Sequence, residues 1–191
     1  MPTANDAALA FLAARRSHPP KLLAAPGPDR ESLLRLLTLA ARVPDHGKLE
    51  PWRFVVLERA ALDRLAPLLH AAVLRDGQDQ AAADKAASAL ASPVVVAVIH
   101  TPVESAKIPL WEQQLSTGAV CLSLVNAALA EGWGACWLTG FAATNRDFAE
   151  AHLGLGHGEM MAGLIHIGSS TAAPPDRPRP DIAAKTTWLQ P

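Results

Sequence analysis

The chain has 191 residues, of which 50% are apolar and 18% are charged, and its formal net charge at pH 7 is −1. A chain of this length can bury one sizeable core, and a net charge near zero gives no general attraction to nucleic acid or to anionic membranes. Neither nucleic acid nor a membrane is therefore an expected partner.

Helical and strand patterns alternate along the first half of the chain. Apolar periodicity predicts a helix over 7–16, with Asp6 as a candidate cap, and a second helix between an Asp29 cap and Pro44. Alanine- and leucine-rich segments predict two more helices, over 59–74 and 78–90. Strands are predicted at 54–57 and, directly after Pro93, at 94–99.

One long helix dominates the second half. Its pattern covers 111–131 and is apolar on almost every side, which is typical of a helix in a core or an interface. A strand at 135–138, a short helix between a Thr144 cap and Gly154, and a strand at 163–167 follow. The proline-rich tail, 168–191, has no periodicity, so it is either disordered or wraps around a partner, and Trp188 and Leu189 favour the second possibility.

These elements show no repeat and no linker between domains, so we expect a single domain over residues 1–191. The predicted class is α+β or α/β, with a small sheet covered by helices. Cys121 and Cys136 lack CxxC spacing, which suits buried thiols in a reducing compartment. With no basic-then-apolar leader, and with apolar runs such as 94–99 far shorter than the roughly 20 residues that span a bilayer, we expect a cytoplasmic protein.

Three basic clusters stand at the ends of predicted elements. They are Arg15–Arg16–Ser17, Arg42 with His46 and Lys48, and Arg177 with Arg179. Each lies in a segment rich in helix breakers, where backbone N–H groups are free, and this combination suits a phosphate or another compact anion. Any one cluster alone is more simply explained as a solvated positive surface, so the prediction depends on the clusters meeting in the fold.

Motifs of several other site classes are missing from the sequence. Neither GxGxxG nor GxxxxGK[ST] occurs, which disfavours a dinucleotide Rossmann site and a P-loop, and there is no GxSxG nucleophile elbow. HExxH does not occur, and His152 and His157 are five positions apart, so no metal site is predicted. The chain has no tyrosine, which excludes a tyrosine proton donor.

Four segments, read together, resemble the nitroreductase family of flavin enzymes. They are RRS at 15–17, RVPDHGKLEPWRFVVLE at 42–58, IPLWEQQLSTG at 108–118 and EGWGACWLTGF at 131–141. Each motif is weak alone, but their order and spacing match the compact bacterial branch of the family. The resemblance extends from about residue 7 to residue 188.

The resemblance implies an α+β fold of three layers, α/β/α, with a small, mostly antiparallel sheet. It also implies an obligate homodimer with two FMN sites at the subunit interface and a C-terminal tail that embraces the partner. The expected activity is that of an FMN-dependent oxidoreductase, in which NAD(P)H passes a hydride to flavin N5 and a nitroaromatic or quinone-like acceptor is then reduced, in a ping-pong cycle. No side chain is expected to act as a catalytic group, because the cofactor carries the chemistry.

The resemblance assigns the basic residues to the cofactor. Arg15 and Ser17 would hold the ribityl phosphate, with Arg16 close to the ribityl chain or the pyrimidine side of the ring. Arg179 resembles the C-terminal arginine that closes on the phosphate. Arg42 and His46 would meet an FMN that is bound mainly by the partner subunit.

The segment 137–140 would line the isoalloxazine ring. The expected lining residues are Trp137, Leu138, Thr139 and Gly140, and the backbone of Thr139 and Gly140 is the best candidate to donate a hydrogen bond toward flavin N5.

Three positions depart from the family pattern. Many relatives have an arginine three residues after the RRS serine, where this chain has Pro20; Glu50 replaces a frequent glutamine, and Leu138 replaces an arginine usual in the branch. Lys21 or Arg16 is a possible substitute for the arginine missing at Pro20. Because of Pro20 and Glu50, a flavin carrier or regulatory protein with little reductase turnover is the alternative hypothesis.

Overall fold

The computed structural model describes residues 3–189. The helices in this range are α1 Asp6–Ala14, α2 Arg30–Ala40, α3 Arg59–Arg75, α4 Gln80–Ala89, α5 Leu110–Ala130, α6 Gly140–Thr144 and α7 Arg146–Leu153. The strands are β1 Leu23–Ala24, β2 Trp52–Glu58, β3 Val94–His100, β4 Gly134–Leu138 and β5 Met160–Ser170. The predicted helices and strands are therefore found in the predicted order, with most boundaries shifted by a few residues.

The five strands form one small sheet in which every described pairing is antiparallel. β5 is the longest strand and pairs with β1, β3 and β4, whereas β2 pairs only with β3. The other side of β2 is an open edge among the described residues. The predicted small, mostly antiparallel sheet is confirmed.

Helices cover both faces of the sheet, because β3 is mostly apolar and its residues are buried on both sides. All seven residues of β3 are buried, as its continuous apolar run predicts. Because side chains alternate across a strand, Val95 and Ile99 enter a core with α3, α4 and α7, while Val96 and Val98 enter a core with α2 and α5. The result is the predicted three-layer α/β/α arrangement.

Two of the three predicted N-cap residues are wrong by one position. Asp29 caps α2 as predicted, with its carboxylate accepting from the N–H of Ser32 at 2.8 Å. Asn5 rather than Asp6 caps α1, and Asn145 rather than Thr144 caps α7, while Thr144 is the last residue of α6. In both cases an asparagine, which is among the best capping residues, stands directly beside the predicted one.

Several other features differ from the sequence predictions. α2 ends at Ala40, four residues before Pro44, and β5 is about twice as long as predicted. β1 and α6 were not predicted. β1 is only two residues long and exists because Leu23 pairs with Ser170 across the sequence, which leaves no local pattern to detect.

The tail after β5 runs over the surface and contains one short 3-10 turn, Ala183–Lys185. Trp188 and Leu189 are almost fully exposed in the single chain. Tail wrapping around a partner subunit stays a prediction. Within residues 3–189, no helix is long and apolar enough to cross a membrane.

An ion pair between β2 and the start of β5 gives a testable dependence of stability on pH. Arg53 Nε donates to Glu159 Oε1 at 2.7 Å, and the N–H of Gly156 and the hydroxyl of Thr101 also donate to this carboxylate. Chiefly through the Arg53 hydrogen bond, the pKa of Glu159 is lowered to about 2 from its ordinary value of 4.5. The contribution of the Glu159 carboxylate to the stability of the folded state is therefore complete above about pH 5 and is lost as the pH falls toward 2.

We expect Glu159→Gln to lower the free energy of unfolding by about 1–2 kcal/mol at neutral pH, a figure that allows for solvent screening. Urea denaturation of both proteins between pH 7 and pH 3 measures this. The difference between them should shrink on acidification, and a difference that does not change with pH would contradict the assignment.

Candidate functional site

A cleft of about 570 Å³ lies where the end of α1, the end of β4 and the tail meet. The predicted site residues on its walls are Arg15, Arg16 and Ser17 after α1, Trp137 and Leu138 from β4, and Arg179, beside Arg177, from the tail. The structure thus brings together two of the three basic clusters that the sequence singled out. Pro20 also lines this cleft.

The route of the chain after α1 explains how the first cluster reaches the cleft. Arg15 leaves the helix with an extended backbone, φ −56° and ψ 138°, and is the C-cap of α1. Three residues later the N–H of His18 donates to the carbonyl of Ala135 in β4 at 2.9 Å. This bond holds the Arg15–Ser17 segment against β4, next to Trp137.

Two of the guanidinium groups are incompletely bonded by the protein. The Nε atoms of Arg15 and Arg16 are buried and have no hydrogen-bond partner among residues 3–189. Arg15 Nη2 makes one long contact, 3.4 Å, to the hydroxyl of Ser17. A buried N–H without a partner is costly, so these donors fit an anion with several acceptor oxygens, such as a phosphate.

An acidic residue of the tail, Asp176, contacts two arginines of the cleft and was not predicted as a site residue. Asp176 Oδ1 lies 3.0 Å from Arg179 Nη1 and 3.6 Å from Arg16 Nη1. Arg179 Nη2 also donates to the carbonyl of Ala13, the residue before the last of α1, at 3.2 Å. The backbone N–H of Arg177 and, after it, the neighbouring arginines lower the pKa of Asp176, so its carboxylate is ionised and positions both cations.

Trp137 supplies an aromatic wall. Its indole Nε1 donates to the carbonyl of Ala162 at 3.2 Å, and the ring lies directly over Gly163 of β5. Cys136, the preceding residue, also lines the cleft, but burial raises the pKa of its thiol to about 12. The thiol is therefore neutral near pH 7 and cannot act as a nucleophile there.

Thr139 and Gly140 do not line the main cleft. They line a separate cavity of about 60 Å³, and Leu138 belongs to both cavities. Gly140 has φ +57°, a left-handed conformation that favours glycine, and it begins α6. The segment 137–140 therefore runs from the cleft to a neighbouring small cavity, and its predicted contact with a ring stays a prediction.

Arg42 and His46 are not among the residues that line the cleft. The side chain of His46 is 61% exposed, and its Nδ1 lies 2.7 Å from Glu112 Oε2 on α5. The sequence prediction gives both residues to the site of a second subunit, so their place outside the single-chain cleft does not contradict it.

Comparison with known proteins identifies the family and the fold. The model of the nitroreductase family matches residues 12–169. The chain belongs to the nitroreductase family. The family assignment confirms the predicted resemblance and the predicted enzyme class, an oxidoreductase.

Two curated relatives of this nitroreductase are bacterial. The Haemophilus influenzae protein named "Putative NAD(P)H nitroreductase" is 37% identical over 164 residues, 85% of this chain and 88% of the relative. The Escherichia coli K12 protein named "Putative NAD(P)H nitroreductase YdjA" is 32% identical over 163 residues, 85% of this chain and 87% of the relative.

Solved structures share the whole fold of this nitroreductase. A nitroreductase-like protein from Bacillus cereus superimposes with a TM-score of 0.77 at 25% identity, covering 99% of this chain and 98% of the other. The FMN-dependent nitroreductase NfnB from Mycobacterium smegmatis, in complex with NADPH, gives a TM-score of 0.76 at 18% identity, covering 97% and 99% of the two chains.

Proposed function

We propose that residues 1–191 form one FMN-binding domain and that this nitroreductase uses NAD(P)H to reduce nitroaromatic or quinone-like acceptors. The observation that supports it most is the pair of buried Nε atoms of Arg15 and Arg16, which have no hydrogen-bond partner among residues 3–189 and lie in a cleft that also has an aromatic wall. This pairing suits a ligand with a phosphate at one end and a planar ring at the other. NfnB, which shares the fold, is named as FMN-dependent.

The phosphate end of FMN would be held by the cations of the cleft. Arg15 and Ser17 would contact the phosphate, Arg179 would close on it from the tail, and Arg16 would lie toward the ribityl chain. Each charge-assisted hydrogen bond to a phosphate oxygen is worth about 1.5–3 kcal/mol. Asp176 would keep Arg16 and Arg179 in place, since it contacts both.

The ring end would lie along Trp137, Leu138, Thr139 and Gly140. When bound, FMN supplies a ring that accepts a hydride from NAD(P)H at N5 and then reduces the acceptor, in a ping-pong cycle. The chain would position that ring and exclude water from one face of it. The high pKa of Cys136, about 12, agrees with a mechanism that needs no protein nucleophile.

A homodimer would complete the site. Trp111 and Leu115 of α5 are 59% and 66% exposed and, with Leu122, form one apolar face of a helix whose opposite side is buried in the core. An exposed apolar stripe of this kind is typical of an interface. A second copy of the chain would cover this face, and the exposed Trp188 and Leu189 of that copy are available to pack against it. In the resulting dimer, Arg42 and His46 would reach the partner's FMN.

A flavin carrier with little reductase turnover is the second candidate. It is favoured by Pro20, which lines the cleft at a position where the family resemblance leads us to expect an arginine. Without that cation, the reduced ring would lose an electrostatic stabilisation of about 3 kcal/mol.

Anaerobic mixing of the FMN-loaded protein with NADH and with NADPH separates the two candidates. The reductase proposal predicts that at least one of them bleaches the visible flavin absorbance within the time of a catalytic turnover and that a quinone or nitroaromatic restores it. Bound flavin that neither nicotinamide bleaches would favour the carrier, and a protein that does not bind FMN would exclude both.

A further inference from the structure

Three polar side chains in the first part of α5 hold the segment 44–51, which contains His46. Ser116 Oγ donates to the carbonyl of Pro44 at 2.6 Å, and Thr117 Oγ1 donates to the carbonyl of Pro51 at 3.1 Å. Between these two anchors, Glu112 contacts the His46 ring. Glu112 and Ser116 are four apart and share one face of α5, and Thr117 lies on the adjacent buried face, so three residues of the WEQQLST motif hold both ends and the middle of the segment.

The backbone of this segment is held in an unfavourable conformation. Lys48 has φ +54° and Glu50 has φ +48°, in the left-handed region that non-glycine residues rarely adopt. The Asp45 carboxylate accepts from the N–H of Leu49 at 3.3 Å and of Glu50 at 2.8 Å, and these bonds fix the turn. Strain of about 1–3 kcal/mol per residue persists only where the surroundings enforce it, and such residues cluster at functional sites.

The contact with Glu112 determines the state of the His46 ring. An ionised carboxylate can only accept hydrogen bonds, so the Nδ1 atom 2.7 Å from Glu112 Oε2 carries the hydrogen. In the neutral ring, Nε2 is then an acceptor, and it lies on the opposite edge of an imidazole that is largely exposed. A carboxylate that fixes a histidine in this way sets both its tautomer and its orientation.

We propose that Glu112 is a positioning residue that holds His46 as the Nδ1–H tautomer, with Nε2 directed to a hydrogen-bond donor on the FMN of the second subunit. Such donors are the ribityl hydroxyls and the ring imide N–H, not the phosphate. The inference rests on the proposed function, because it requires that FMN binds. It assigns a role to the WEQ motif beyond packing at an interface.

The first test measures the tautomer directly, without cofactor. In ¹⁵N NMR spectra recorded where His46 is neutral, the unsubstituted protein is expected to carry the hydrogen on Nδ1, and Glu112→Ala should shift the ring toward the Nε2–H form that free histidine prefers. Glu104→Ala, which removes an exposed carboxylate from the loop before α5, is the matched control and should leave the ring unchanged. An unchanged tautomer in Glu112→Ala would overturn the proposal.

The second test is a double-mutant cycle on FMN affinity. Glu112→Ala and His46→Ala should each weaken FMN binding by about tenfold, and the double variant should be no weaker than His46→Ala by more than about twofold, because both changes remove one interaction. Glu104→Ala should bind FMN as the unsubstituted protein does.

The outcomes separate this inference from the proposed function. Binding of FMN by the unsubstituted protein with additive effects in the cycle, or with no effect of His46→Ala, would overturn the role of Glu112 and leave the flavin enzyme intact. Failure of the unsubstituted protein to bind FMN would overturn both.

Discussion

Replacement of Arg15 by alanine is expected to weaken FMN binding by about 10- to 100-fold, the effect of losing one charge-assisted contact to a phosphate. The guanidinium Nε of Arg15 is buried in the cleft and has no partner among the described residues, so a bound phosphate would be its main acceptor. Without the Arg15 side chain, the phosphate would still contact Ser17 and Arg179 but would lose the hydrogen-bond donor nearest α1. Titration followed by flavin fluorescence measures the change.

Arg64→Ala is the matched control for Arg15→Ala. Arg64 is exposed on α3 and does not line the cleft, so its loss removes the same charge without touching the site. Equal FMN affinities for Arg15→Ala and Arg64→Ala would show that the cleft between α1 and the tail does not hold the phosphate.

Gly163→Ala is expected to have the second large effect, because it would displace Trp137. A Cβ at position 163 would overlap the indole Nε1 and Cδ1 of Trp137, and the indole would have to leave its hydrogen bond to the carbonyl of Ala162. Overpacking of this kind lowers the free energy of unfolding by about 1–3 kcal/mol. Because Trp137 forms a wall of the cleft, we also expect FMN affinity to fall by about tenfold, since lost stacking is worth about 1 kcal/mol or more.

Gly118→Ala is a matched control, because it adds a methyl group near the opposite end of the same indole ring. A Cβ at position 118, within α5, would lie 4.0 Å from Trp137 Cη2, an ordinary contact. Since alanine is favoured over glycine in a helix by about 1 kcal/mol, this variant should be at least as stable as the unsubstituted protein and bind FMN normally. Urea denaturation and FMN titration of both variants check this, and similar behaviour of Gly163→Ala and Gly118→Ala would contradict the packing argument.

The parts of the fold that the sequence predicted well are those with a strong local pattern. The run 94–99 is apolar without a break and became a strand buried on both faces, and the long apolar pattern of 111–131 became α5 within one residue at each end. β1 escaped prediction because two residues carry no period and their partner, β5, is far away in the chain. Local patterns cannot encode such pairings.

Most residues of the candidate site were predictable from the sequence, but the contacts between them were not. Residues 15–17 and Arg179 were singled out by charge and by motif, and the cleft contains them. Asp176 and Glu112 were missed as contributors because their importance depends on distances across the fold: Asp176 contacts Arg16, 160 positions earlier, and Glu112 contacts His46. No sequence spacing predicts either contact.

The measurement that tests the central claim most directly is an FMN titration combined with sedimentation of the purified protein. Convergence of cations on one cofactor in a two-fold assembly predicts a yellow dimer with one FMN per chain. A colourless monomer that retains no FMN after incubation with an excess of the cofactor would contradict the claim.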